Sequence, residues 1–298
     1  MKLSNSILIQ FVFGIFLFSL LGILINNLIV NLIVTDMGIS FNWLGTTAGF
    51  ALSESSLPYE ASDTYLWALI NGLVNSLKVI FAGLCISTII GIFAGVARLS
   101  GNLLLRHVSN LYVLLIRQIP LLIQLLFWYF VAILGLSETP IEILAGGLKL
   151  SNQGLSLFGV TVSAEFSSIL IGLSIFTGAY IAEVVRGGLN SVDKGQWEAF
   201  KSLGLSQSIG LRKIIIPQAL PAIIPGLTSQ YLNLAKNSTL AIAVGYADIY
   251  AVSDTTITQT GRAIEGFAML LCTFLIINLL ITRAMNFVNN LCIKINTK

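Results

Sequence analysis

Four ionisable residues of this chain sit where charge is expensive: Arg117, Glu183, Arg186 and Lys236 each fall within or at the edge of a long apolar run. A charge in the middle of a membrane helix costs about 3 kcal/mol or more, so such a side chain pairs, faces a cavity or reaches the interface. Glu183 and Arg186 stand at i,i+3 and can share one helix face. Glu183 is too short to snorkel far, which favours a structural pair, whereas Arg186 can either pair or extend to the interface. Lys236 either lines a path through the chain or partners a group inside it. The chemistry on offer is charge pairing and passage, with no bond-making centre.

Other catalytic signatures are missing from the sequence. It has no GxxxxGK[ST] loop to wrap phosphates and no GxGxxG after a strand, so neither ATP nor dinucleotide chemistry can be placed in it. Cys85, Cys272 and Cys292 are scattered in or beside apolar runs without a CxxC pair and read as small apolar fillers. His107, the sole histidine, stands beside Arg106 as an interfacial anchor or cap, because a metal would need several convergent ligands. No cofactor and no metal are expected in the chain, and nothing in it suggests nucleic acid.

The elements that must position these residues are membrane helices. Of 298 residues, 56% are hydrophobic and only 10% are charged, far below the quarter or so found in soluble domains; the mean hydropathy is +0.90. Runs long enough to cross about 30 Å of hydrocarbon as helix lie near 7–34, 66–97, 110–135, 165–186, 219–247 and 263–289. The first is too long for a signal-peptide core and lacks a clean small-x-small site; with only Lys2 ahead of it, it is expected to remain as a span.

Orientation follows from the basic residues. The 35–65 segment carries Asp36, Glu54, Glu60 and Asp63 with no Lys or Arg, whereas 98–109 has Arg98, Arg106 and His107, and 187–218 has Lys194, Lys201, Arg212 and Lys213. The two basic loops are therefore expected in the cytoplasm. Six spans then put both termini inside, in line with Lys294 and Lys298. The loops at 35–65, 136–164 and 248–262 would lie outside, and their residues show neither metal spacing nor a nucleophile. Lys78 marks the outer edge of the second span or faces protein. Gly83, Gly91, Gly95, Gly172 and Gly178 permit close helix approach, which favours a packed bundle.

One polar stretch, residues 183–225, interrupts the apolar runs. From Asp193 to Leu205, Trp197, Phe200 and Leu203 recur every third position with Lys194, Glu198 and Lys201 on another side, the pattern of a short amphipathic helix. Its aromatic face either lies at headgroup depth on the leaflet or docks into a groove on a soluble partner. Gly204 tolerates the positive φ that ends a helix, and Ser206 or Ser208 can cap the next turn. Pro217, Pro221 and Pro225 recur every fourth residue, which predicts that the following span starts bent or broken. Pro120 does the same after Arg117.

This stretch resembles the EAA loop of permease subunits of binding-protein-dependent ABC importers. Glu198, Ala199, Phe200, Gly204, Ile214, Ile216 and Pro217 stand at the spacing of that pattern, with Phe200 for its second alanine and Ile216 for its leucine. Phe200 is the larger residue, so a partner pocket receiving it would have to be roomier. The resemblance implies a coupling helix seated in a cleft of a cytoplasmic ATP-binding subunit. Gly195, Gln196, Glu198, Ala199, Phe200, Leu203, Gly204, Ile214 and Pro217 would make that coupling. ATPase closure would then rock the attached spans between inward-open and outward-open states.

Three further segments resemble the permeases for polar amino acids: YVLLIRQIPLLIQ at 112–124, GAYIAEVVRGG at 178–188 and LAKNSTLA at 234–241. Gln118 and Ile119 replace a usual Gly-Thr, and Asn237 replaces an acidic residue. On this likeness Arg117, Pro120, Gln124, Glu183, Arg186, Lys236, Asn237, Ser238 and Thr239 are structural or line the translocation path. The likeness covers about residues 66–290, the core permease domain, with its coupling loop at about 187–218. Residues 1–65 form an N-terminal helix and outer segment similar to the addition in the general L-amino acid branch, and 291–298 form a cytoplasmic tail.

The expected fold is an all-α, polytopic transmembrane bundle of the ABC importer permease type in the cell inner membrane. The resemblance implies cytoplasmic ATP-binding subunits that use the ATP, a second permease subunit related or identical to this one, a periplasmic amino-acid-binding protein, an amino-acid substrate and surrounding membrane lipid. An ion-gradient-driven amino-acid carrier or a non-transporting scaffold would need no docking loop, and no internal duplication points to the carrier.

Overall fold

A computed structural model describes residues 5–34, 38–144 and 147–296. Lys2, Asp36 and Lys298, which bear on targeting and orientation, lie outside the described residues, as does the side chain of Lys294. The chain divides into two compact units, Met1–Trp43 and Leu44–Lys298. The first contains α1 (Asn5–Val34), a 30-residue helix apolar on nearly every face, as a lipid-surrounded span should be.

The second unit is a helical bundle. It opens with α2 (Tyr65–Ala97), whose first turn is capped by Thr64 Oγ1 accepting from the Trp67 amide at 3.3 Å. Next comes α3 (Leu103–Gln118), capped by Asn102 Oδ1, which accepts from the Leu104 amide at 2.9 Å. Then follows α4 (Leu121–Leu126), which continues as a π-helical stretch over Phe127–Ile133. Ser163 caps α5 (Ala164–Asn190). After α5 come α6 (Lys194–Ser202), α7 (Gln207–Gly210), a π-helical turn at Leu211–Ile215, and α8 (Ile216–Asn237). A 3-10 turn at Ser238–Val244, α9 (Ile249–Thr260) and α10 (Ala263–Asn296) complete the unit.

The most extensive helix pair is α2 with α5. Gly91 and Gly95 make it possible: a Cβ on Gly91 would lie 2.3 Å from the Ile181 side chain, and one on Gly95 2.7 Å from Val185. Without a hydrophobic drive between helices in lipid, such close backbone approach is a main source of attraction. Helix α8 packs against α5 and α10 in turn.

Two of the six runs expected to span are not simple helices. Four helices are long and apolar enough to cross alone: residues 6–34, 65–97, 164–190 and 263–293. The run near 110–135 is broken, with α3 and the α4 segment meeting at 106°. Pro120 is the cause, because its ring disfavours helix in the residue before it; Ile119 is extended at φ −100°, ψ 128°. The run near 219–247 is the 22-residue α8 followed by the 3-10 turn, too rich in Gln, Thr, Ser, Asn and Lys to face lipid all round. At about 1.5 Å per residue α8 still spans about 33 Å, and it joins the end of the bundle that holds α6 to the end that holds α9. The irregularity expected at the entry to this span falls just ahead of Pro217. Helix α8 runs through Pro221 and Pro225, and the irregular turn lies just before it at Leu211–Ile215.

The all-α expectation holds for the bundle and fails locally in the 136–164 loop. There β1 (Ile141–Leu144), β2 (Leu148–Ser151), β3 (Gly154–Leu157) and β4 (Val160–Val162) form an antiparallel meander in sequence order. Strands of three or four residues are too short to leave a periodicity beside long apolar runs. The sheet is tied to the start of α5, where Ser167 Oγ accepts from the Leu155 amide at 2.9 Å.

Candidate coupling and translocation sites

Helix α6 is built by local chemistry. The Asp193 carboxylate caps it by accepting from the Gly195 amide at 2.6 Å. Gly204 closes it at φ +70°, with its amide donating to the Lys201 carbonyl at 3.0 Å. Ser206 then caps α7 by accepting from Ile209. Gln218 of α8 donates to Gln196 Oε1 at 3.2 Å and to the Ile214 carbonyl at 3.0 Å, joining the two arms of the hairpin.

The placement of Phe200 corrects the sequence reading. It is 1% exposed and belongs to a cluster with Val185, Leu189, Ile215, Ala219 and Met285, drawn from α5, the π-helical turn, α8 and α10. A Cβ on Gly210 would fall 2.4 Å from its ring, so the glycine makes room for it. Trp197, with its ring 6.0 Å from that of Phe200, packs on the same cluster. The Phe200 ring is therefore turned into the chain's own bundle, with Trp197 half-buried beside it and Leu203 exposed. Burial of apolar rings outweighs exposure at this bundle end because three helices already supply an apolar floor. Gly195, Gln196, Glu198, Ala199 and Leu203 are exposed, Gly204 is exposed at the turn, and Ile214 and Pro217 are half-buried.

Glu183 gathers charge from three helices. Its carboxylate accepts from Arg186 on the same helix, as their spacing allows, and from Arg98 at the end of α2. Arg117 of α3 comes within 3.9 Å. In the sequence Arg98 signals only orientation, since nothing local links it to a residue 85 positions away. Arg117 stacks over the Tyr180 ring at 5.0 Å, a favourable guanidinium–π contact.

Gln124 is a corner piece. Buried, it donates from Nε2 to the carbonyls of Ile116 and Ile119, each at 2.9 Å. Those carbonyls lie where Pro120 has ended α3 and no further turn can satisfy them. Lys236 is exposed near the end of α8, Asn237 is half-buried, Ser238 is buried with its hydroxyl donating to the Ala235 carbonyl, and Thr239 donates to the Lys236 carbonyl. These four share the α8 terminus and are far in sequence from the Glu183 cluster; no ion pair joins Lys236 to it.

A second polar network lies at the opposite end of the bundle. Asn75, fully buried on α2, donates from Nδ2 to the Glu54 carbonyl at 2.9 Å and to the Ala247 carbonyl at 2.8 Å. Asn71, one turn earlier, accepts from the Leu57 amide at 3.0 Å. The Glu54 carboxylate takes the Ser163 hydroxyl and lies 3.4 Å from Lys78 Nζ. Lys78 also stands 5.3 Å over the Phe166 ring and so faces protein. Sequence reading missed this clasp; its one signal was a pair of asparagines four apart inside an apolar run.

A helical membrane bundle with an exposed, internally braced hairpin at one end is the architecture of a transport permease. The family described as binding-protein-dependent transport system inner membrane component matches residues 87–291, and the chain belongs to it. It is thus a multi-pass permease subunit of an ABC transporter, and ATP use falls to a separate subunit. The chain is 34% identical to the putative amino-acid ABC transporter permease protein YhdX of Escherichia coli, over 91% of this chain and 89% of that one. It is 32% identical to the general L-amino acid transport system permease protein AapQ of Rhizobium johnstonii, over 89% and 86%. A crystal structure of an amino acid ABC transporter with histidines matches at 27% identity and a TM-score of 0.60, covering 76% of this chain and 94% of that one.

Proposed function

We propose that this chain, through its core at 66–290, forms part of the translocation path of an importer for amino acids, with the exposed face of α6 seated on a cytoplasmic ATP-binding subunit. The observation that carries the reading is the mounting of α6: one face is free, while the other is keyed through Phe200 into α5, α8 and α10. A push on that free face reaches three helices at once. Gly195, Gln196, Glu198, Ala199 and Leu203 meet the partner, while Phe200, Ile214 and Pro217 support the hairpin from within.

The basic residues support the orientation. Arg98, Arg106, Lys194, Lys201, Arg212 and Lys213 stand at the hairpin end, and Glu54, Glu60 and Asp63 at the clasp end, so the positive-inside rule puts the hairpin and both termini, including the 291–298 tail, in the cytoplasm. A periplasmic amino-acid-binding protein then delivers substrate at the clasp end, in the inner membrane. A second permease subunit, related or identical, completes the path, to which Arg117, Pro120, Gln124, Glu183, Arg186, Lys236, Asn237, Ser238 and Thr239 contribute as lining or support.

Gly204→Val tests the coupling. A β-branched residue forced to φ +70° is strained by at least about 1–2 kcal/mol, which should disrupt the turn while leaving membrane insertion intact. Uptake of labelled amino acids should fall to background with normal amounts of chain in the membrane. Unchanged uptake would overturn the assignment of α6. Purification in mild detergent should recover an ATP-binding subunit and a second permease, with ATPase activity raised by an amino-acid-loaded binding protein. Recovery of the chain alone across several detergents would favour a gradient-driven carrier or a scaffold.

A further inference from the structure

Helix α6 carries two cations that no group in the chain answers. Lys194 and Lys201 stand on one helix face with Trp197 between them, and neither side chain makes an ion pair or a hydrogen bond among the described residues. Both line a cavity of about 480 Å³ whose apolar walls include Leu99, Val192 and Trp197. Asn190 and Gln207 line it as well, and their side-chain amides are likewise without a partner among the described residues. No carboxylate is among the lining residues. The cavity therefore sets two ammonium groups and two amides against an apolar wall, an arrangement suited to an anionic head on an apolar body.

That cavity lies at headgroup depth. Helix α5 ends at Asn190, and its 27 residues rise about 40 Å at 1.5 Å each, the thickness of a bilayer with its headgroup layers. Helix α2, another long span, ends at Ala97, two residues before Leu99. On the hydrocarbon side an apolar trough of about 850 Å³ runs between α2 and α3, lined by Ile89, Phe93, Val108 and Tyr112 among others. It extends along α2 from Ala97 back to Ile89, about 12 Å into the span. Gln207 lines both trough and cavity, so the two adjoin. Phe93 is 73% exposed and Val108 58%, which leaves the trough open to lipid. A trough alone would take any acyl chain; the cationic cavity at its end adds a preference for negative charge.

We propose that trough and cavity together hold one acidic phospholipid, its acyl chain along α2 and α3 and its phosphate met by Lys194 and Lys201, with Asn190 and Gln207 as further donors. Trp197 is a wall of the head cavity, so the bound lipid bears on a ring that helps to seat α6. A Trp flanked by basic residues at the end of a span is also the usual furniture of a membrane interface. The site uses neither the face of α6 assigned to the ATP-binding subunit nor the Glu183 cluster. Its failure would therefore leave the coupling assignment standing.

The test uses the full chain in nanodiscs of phosphatidylcholine, in the same discs with phosphatidylglycerol, and in the first discs with inorganic phosphate added. Native mass spectrometry after release from the discs identifies the retained lipid, and thermal unfolding reads its effect. Wild type should retain one phosphatidylglycerol in preference to phosphatidylcholine and unfold at a higher temperature with it, whereas inorganic phosphate should change nothing. Replacing both cations, Lys194→Gln with Lys201→Gln, should weaken that retention roughly twenty-five-fold, at about fivefold for each lysine near an anionic lipid. Val108→Trp, which fills the trough from an exposed position, should weaken it with both lysines in place. As the lysines are exposed and unpaired, the double variant should unfold near the wild-type temperature in phosphatidylcholine alone; should it fail to fold, Val108→Trp carries the test. Equal retention of the two lipids by wild type, undiminished phosphatidylglycerol retention in the folded variants, or stabilisation by inorganic phosphate would overturn the proposal. So would carbodiimide cross-linking of Lys194 or Lys201 to a carboxylate of the ATP-binding subunit in the purified transporter, which would give the cavity to that partner.

Discussion

The two ends of the bundle are held together by different kinds of contact. At the hairpin end, the bonds that shape α6 and α7 join near neighbours: Asp193 to Gly195, Ser206 to Ile209, and at the longest Gln196 to Gln218, 22 residues apart. At the clasp end they span the chain: Ser53 to Gly245 over 192 residues, Asn75 to Ala247 over 172, and Ser163 to Glu54 over 109. The hairpin is a local design and the clasp a tertiary one. Loss of a clasp residue should therefore loosen the whole bundle end, whereas loss of a hairpin residue should act on the device that protrudes from it. Phe200 is the exception, a hairpin residue with its roots in the bundle.

That exception gives the sharpest way to break the comparison. Phe200→Ala should cost about 3–5 kcal/mol, the usual range for an emptied aromatic site, and should show as a lower unfolding temperature together with lost uptake. If stability were untouched and only uptake fell, Phe200 would be a local hairpin residue after all. Asn75→Leu comes next. It removes the donor from the Glu54 and Ala247 carbonyls, at about 1–3 kcal/mol for each acceptor left bare. Accelerated proteolysis within 44–64, with α6 still resistant, would mark the clasp as an independent unit; equal loosening at both ends would erase the distinction.

The smallest effect concerns Asp248, which caps α9 outside the membrane-spanning helices by accepting from Ala251 at 2.8 Å. Burial pushes its carboxyl up to about 7 from an ordinary 3.8. An acid whose folded-state pKa is raised binds its proton more tightly in the folded chain. Its contribution is thus fully present below about 3.8 and is lost as pH rises through about 7. Unfolding temperature should fall modestly from pH 5 to pH 8 in wild type, and Asp248→Asn should flatten that part of the profile. A slope unchanged in the variant would assign it to other groups.

The same contrast governs what the sequence made legible. The hairpin could be read because its caps, its turn glycine and its aromatic spacing lie within one stretch, and the Pro120 corner because a proline acts on its immediate neighbours. The direction in which Phe200 points was not legible: a 3.6-residue period says that two rings share a side, not which surface they meet. Arg98 with Glu183 and Glu54 with Ser163 pair only after α2 and α5 have packed, so no spacing announces them. The β1–β4 meander escaped because each strand is shorter than one clear alternation. Asn71 and Asn75 were visible as polar residues in a span, but their partners lie in 35–65, which composition assigned to a separate outer loop, and at Ala247, at the far end of another run.

Two aromatic rings three residues apart also decide how α6 can respond to a load. A helix anchored by a single peg could roll about its own axis and spend an applied push as rotation. With Phe200 sunk beside Gly210 and Trp197 bearing on the same cluster, the mount has two points, and rolling would pull one ring out as the other went in. The hairpin is then stiff in torsion and free to move only with its foundation, as a lever bolted twice is stiffer than one on a pivot.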